Sequence, residues 1–165
     1  MNRVLAAVIG MAAGAAVLVG CSDDKGSAPQ SSTTVAAGTG TAQVSTGGNT
    51  VVKVEGQDLA GLDLNTVSCV KQGGKINVAS GSIGGQQGLG VVMTDAATPK
   101  VESLGLVVDG NALAVSDNMG MKTGSADVKV DGSTYTITGE AQGADMKNPM
   151  AGMITKKFEI TVSCK

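Results

Sequence analysis

The feature that most limits what this chain can become is a period-two apolar alternation in its C-terminal third. In KKFEITVSC, Phe158, Ile160, Val162 and Cys164 fall on one side and Lys157, Glu159, Thr161 and Ser163 on the other, the pattern of a half-buried strand. Upstream, ADVKVDGSTYTIT carries the same alternation on both sides of Asp131-Gly132, a dipeptide suited to a two-residue type I′ turn. That turn places Val130 opposite Ser133, Val128 opposite Tyr135 and Ala126 opposite Ile137. Turn chemistry and alternation then agree on one buried face.

Further strand candidates are Thr50 to Glu55, Asn65 to Val70, Lys75 to Ala79, Gly88 to Thr94, Val101 to Val108 and Ala112 to Ser116. Gly-Gly, Thr-Pro and Asp-Gly-Asn separate them, and these are turn formers. No long amphipathic helical pattern occurs. A short helix near Ala144 to Met153 is compatible with the sequence if Pro149 stands at its start or end. Eight or nine short strands at this spacing predict a mainly β domain, an antiparallel sandwich or curled sheet. Tyr135 and Phe158 are the only aromatic residues and there is no Trp or His, so the core must be built from Val, Ile, Leu, Met and Ala.

The N-terminus reads as an export signal over residues 1–20: Arg3 is followed by an uncharged run from Val4 to Val19, too short for the roughly 20 residues of a spanning helix. Leu18-Val19-Gly20-Cys21 fits the bacterial lipobox. The expected product begins at a lipidated Cys21 carrying covalent diacylglycerol and an acyl chain, with no other cofactor. Two or three chains together hold a protein stably on a membrane where one does not, so the expected location is the outer face of the cell membrane. Residues 21–50 are rich in Ser, Thr, Ala and Gly and bury too little apolar surface to offset ordering entropy. A disordered tether of about 30 Å root-mean-square span is expected there, leaving residues 51–165 as a single extracytoplasmic domain. Its Thr and Ser beside Pro29 have the composition of O-glycosylated stalks and of plain linkers alike.

Removal of Arg3 with the leader leaves 11 basic residues against 14 acidic ones. Nucleic-acid binding requires clustered Lys and Arg, and the longest basic run is Lys156-Lys157; no nucleic-acid partner is expected. An exported chain reaches an oxidising compartment, and once Cys21 is lipidated two thiols remain. Cys69 and Cys164 are therefore predicted to pair. The rival reading, a metal site, is short of ligands, since two cysteines without histidine do not make a zinc set.

The sequence does not read as an enzyme. Without His there is no conventional Ser-His or Cys-His pair. Ser-x-x-Lys occurs at Ser22 to Lys25 in the tether and at Ser68 to Lys71 on a candidate strand, where positions i and i+3 face opposite ways. GSIGGQQGLG has glycines without dinucleotide-binding spacing, and the scattered carboxylates make no calcium loop or two-acid site. No catalytic and no metal residues are predicted. The methionines of NMGM (Met119, Met121) and DMKNPMAGM (Met146, Met150, Met153) admit three readings. They fill gaps in a core poor in aromatics, they line a groove for an apolar ligand, or their thioethers hold Cu(I). Core filling is the expected one, with Met146, Met150 and Met153 as the candidate ligand contacts if there is a groove.

DGSTYTITGEAQGADMKNPM, residues 131–150, followed by KKFEITVSC resembles the C-terminal signature of the LpqH-like mycobacterial surface lipoprotein antigen family. Weaker similarity extends over the leader, lipobox, tether and cysteine pair. The resemblance implies acylation at Cys21, mannose on tether threonines at the positions of Thr33, Thr34, Thr39 and Thr41, and the pair Cys69 and Cys164. It further implies exposure at the cell envelope, sensing of the lipid by host Toll-like receptor 2, and a role in adhesion or in carrying an apolar small ligand, without enzyme activity.

Overall fold

The computed structural model describes residues 31–37, 40–46, 48–59, 62–81, 87–118 and 121–165. The expected signal segment, Cys21, the start of the tether, Thr39 and Met119 lie outside the described residues.

Among the described residues, thirteen strands form one antiparallel sheet. They are β1 Ser31–Ala37, β2 Gly40–Thr46, β3 Val51–Val54, β4 Gln57–Asp58, β5 Ser68–Gln72, β6 Lys75–Ser80 and β7 Gly88–Thr94. β8 Val101–Val108, β9 Asn111–Asn118, β10 Met121–Thr123, β11 Ser125–Asp131, β12 Thr134–Asp145 and β13 Met153–Ser163 complete it. The spatial order is β1-β2-β5-β6-β7-β8-β9-β12-β13-β3-β4, with β10 on β9 and β11 on β12. Six steps separate β5 from β13, which in a flat sheet at about 4.8 Å per step means about 29 Å. Cys69 on β5 and Cys164 just past β13 nevertheless have Cα atoms 5.5 Å apart. The sheet therefore curls until its two sides meet, as a half-barrel, and of the two expected architectures the curled sheet is the one formed.

The core fills the concave face, where alternate residues point. Phe158, Ile160 and Val162 are buried while Glu159 between them is exposed, as the alternation requires. Ile76, Met93, Leu106 and Ile137 are fully buried on four other strands. β12 takes β13 along one edge, and on the other takes β11 up to Glu140 and then β9 from Gln142. Gly139 and Gly143 flank this change of partner. A Cβ at Gly139 would run into the carbonyl of Ser125, and one at Gly143 into that of Ala112.

Three expectations are corrected. The β11–β12 turn is Gly132-Ser133, not Asp131-Gly132, because Asp131 pairs with Thr134. Val130 thus faces Tyr135 and Val128 faces Ile137. Thr134 is held in the ladder by β13, where it pairs with Ser163, the two hydroxyl oxygens lying 3.2 Å apart. With Gly132 at φ 59° and Ser133 not at positive φ, this is the Gly-first geometry of a type II′ turn. The type I′ arrangement forms instead at Asp109-Gly110, where φ is 49° and 79° and Val108 pairs with Asn111.

The short helix near residues 144–153 is instead a single 3-10 turn, Pro149–Ala151, with Pro at its first positions; β12 and β13 extend into the rest of the segment. Within the stretch expected to be a disordered tether, residues 31–37 and 40–46 form strands. β1 and β2 form a hairpin, and β2 adds to the free edge of β5 through Gln43 to Thr46. Threonine and valine are good strand formers, and main-chain pairing on an open edge needs little apolar burial beyond Ala42.

Candidate functional site

Cys69 and Cys164 form the disulfide that closes the half-barrel, both side chains almost fully buried. Cys69 sits on the core face of β5, and Cys164 continues the buried face of β13 while its N–H donates to the Ser133 carbonyl at 2.8 Å. Beside the staple, Lys71 of β5 reaches across to Tyr135 of β12. Its Nζ donates to the phenol oxygen at 3.1 Å and lies 5.3 Å from the ring centroid. Tyr135 is 5% exposed, so this pair settles a buried hydroxyl that would otherwise go unsatisfied. Sequence reasoning missed it; only the presence of a single tyrosine on a buried face hinted that its hydroxyl needed a partner.

The pair also disposes of the second Ser-x-x-Lys. Ser68 Oγ donates to the carbonyl of Ala79 at 3.4 Å while Lys71 turns to Tyr135. The two side chains serve different partners and form no nucleophile and base.

Of the tether threonines, Thr33 and Thr34 lie on β1, with Thr34 exposed, and Thr41 lies on β2. The methionines are not where core filling puts them. Met121, Met146, Met150 and Met153 are 76, 52, 93 and 74% exposed, and among the described methionines only Met93 is in the core. Met146 and Met150 lie in the β12–β13 connection and Met153 is the first residue of β13, all beyond the end of the core. Three of the open grooves on the surface are lined by described residues. One of about 390 Å³ is lined by Lys53, Thr138, Lys157 and Phe158. Another of about 400 Å³ lies between Thr34, Gln43, Lys71 and Asp95. The third, about 320 Å³, lies between the β3–β4 and β8–β9 turns beside Glu55, Asp109 and Lys156. None of these grooves is lined by the three methionines.

A profile of the Mycobacterium 19 kDa lipoprotein antigen family matches residues 43–164. The chain belongs to the Mycobacterium 19 kDa lipoprotein antigen family. The 19 kDa antigen match starts inside β2 and ends on Cys164, so it holds the whole stapled domain and both cysteines. A Mycobacteroides abscessus protein carrying a lipoprotein name is 68% identical over 164 residues, covering 99% of each chain. Lipoprotein LpqH of Mycobacterium avium is 38% identical over 168 residues, again covering 99% of each. Lipoprotein LpqH of Mycobacterium tuberculosis is 42% identical over 100 residues, which is 60% of each chain. Membership in the 19 kDa antigen family makes this a mycobacterial lipoprotein antigen associated with the cell envelope.

Proposed function

We propose that the mature protein is a non-enzymatic surface lipoprotein held on the outer face of the cell membrane by diacylglycerol and an acyl chain on Cys21. The observation that carries this reading is Leu18-Val19-Gly20-Cys21 at the end of an uncharged leader, in a chain whose relatives bear lipoprotein names. The anchored N-terminus is the part offered to host Toll-like receptor 2. Thr33, Thr34, Thr39 and Thr41 carry mannose, and the stapled β domain is an adhesive head. Supporting the head role, the domain's large apolar side chains are mostly committed to its own core, and its grooves are open and rimmed by charge.

Intact mass spectrometry of the protein extracted from mycobacterial membranes tests the anchor. Expected are loss of residues 1–20, the mass of three acyl chains, hexose increments and the two-dalton deficit of one disulfide. Receptor signalling is expected to vanish in Cys21→Ala and to persist when residues 51–165 are deleted. Signalling unchanged by Cys21→Ala defeats the proposal.

A further inference from the structure

We propose that the β12–β13 loop is a soft-metal site that binds one Cu(I) ion through the thioethers of Met146, Met150 and Met153. Methionine is ordinarily a buried residue, yet these three are 52, 93 and 74% exposed within eight residues of one another. Their exposure sets them outside the core, and none of the grooves described above is lined by them. What the loop presents to solvent is three neutral sulfur donors, the ligand type that selects Cu(I) among the common metals.

Backbone geometry brings the three together. Met153 pairs with Ala144, and Met146 is the first residue past the end of β12, two positions on from Ala144. One cross-strand pair and two residues of chain hold the Met146 and Met153 Cα atoms within about 13 Å of each other. Two flexible thioether arms can close that span onto one ion. Met150 sits between them in the 3-10 turn.

The loop is also held in shape. The Met146 N–H donates to the Gly110 carbonyl at 2.8 Å, and the Lys147 N–H donates to the Asp145 carboxylate at 2.8 Å. The Ala151 N–H donates to the Asn148 carbonyl at 3.0 Å, and Pro149 fixes its own φ. The Lys147 stem lies along Gly110, so its ammonium is drawn toward the β8–β9 turn. A preformed loop loses less entropy on closing around a ligand. Thioethers have no proton to lose and form no disulfide, so such a site works in the oxidising surroundings that pair Cys69 with Cys164. Its affinity is level across pH 5 to 8, where thiolate and imidazole sites weaken as the pH falls.

The test is a titration of the full chain, labelled at the methionine methyl carbons, with Ag(I), a redox-inert stand-in that needs no reductant to threaten the disulfide. Because each methyl reports its own site, silver held by an unlipidated Cys21 thiol does not enter the result. The Met146, Met150 and Met153 methyls are expected to shift together and saturate at one ion, with Met93 unmoved. Met150→Leu removes one of three donors and is expected to weaken binding at least as much as loss of a group that merely orients a ligand does, about 10- to 100-fold. The triple leucine variant is expected to abolish it, and Met121→Leu to leave it unchanged. Peroxide, which transfers one oxygen to each exposed thioether and leaves as water, is expected to abolish binding by the folded wild-type chain. Shifts spread evenly over Met121, loop-methyl shifts that differ in affinity more than tenfold between pH 5 and 8, or undiminished uptake by the triple variant each overturn the proposal.

Discussion

Breaking the Cys69–Cys164 bond is the perturbation with the largest calculable effect on this fold. The bond spans a sequence separation of 95 residues. In the chain-entropy treatment, closing a loop of that length removes about 16 cal/mol/K from the unfolded ensemble, or about 4.7 kcal/mol at 25 °C. Domains of this size have about 5–15 kcal/mol of stability in all, so the bond supplies a third or more of it. The midpoint of thermal unfolding is expected to fall by about 15–25 °C on reduction, taking a sensitivity between those of smaller and larger domains. Reduction isolates the entropic part, because both sulfurs stay in place. The Cys69→Ala/Cys164→Ala chain also opens two small cavities at sites 2% and 1% exposed and is expected to lose about 1–2 kcal/mol more. The assay is guanidinium unfolding followed by circular dichroism on the oxidised, reduced and double-alanine chains. The denaturant slope should steepen without the bond, since the freed unfolded chain exposes more surface. A loss below about 1 kcal/mol with an unchanged slope refutes the loop-closure reasoning.

Gly143→Ala is expected to destabilise by about 1–3 kcal/mol or more because its Cβ meets the Ala112 carbonyl. Gly105→Ala, on an open stretch of β8, is expected to be neutral or to stabilise by a few tenths to about 1 kcal/mol; paired thermal melts distinguish them. Tyr135→Phe removes the acceptor of Lys71 and is expected to cost about 0.5–1.5 kcal/mol, read as a lower denaturation midpoint with unchanged slope. Lys75 of β6 and Glu102 of β8, 2.6 Å apart over the intervening β7, are both partly solvated. Lys75→Ala is expected to cost no more than about 1 kcal/mol, shrinking further in 1 M salt.

Several elements were readable from local sequence. β7 and β8 have the expected limits, Gly88–Thr94 and Val101–Val108, because alternation and flanking turn residues agree there. Cys69 with Cys164 followed from compartment and count. β4 and β10 escaped notice because two or three residues cannot display a period. β1 and β2 were read as tether because composition measures apolar burial, and a hairpin on the β5 edge is held chiefly by main-chain hydrogen bonds. The methionines were misplaced because a thioether fits a core and a solvent-facing loop equally well in composition. Lys71 on Tyr135, 64 positions apart, left no mark at all.

By itself the sequence determined the strand class, the buried faces of β12 and β13, the cysteine pair and the absence of histidine chemistry. These depend on neighbouring residues or on counts, and a two-residue period shows in any window. Only the tertiary structure decided that the sheet curls into a half-barrel, that β12 changes partner after Glu140, that Asp-Gly makes the turn at residue 109 but not at 131, and that three methionines stand in solvent. Each of those outcomes is a competition among distant strands for the same backbone edges, and the winner is set by pairing energies summed over the whole sheet.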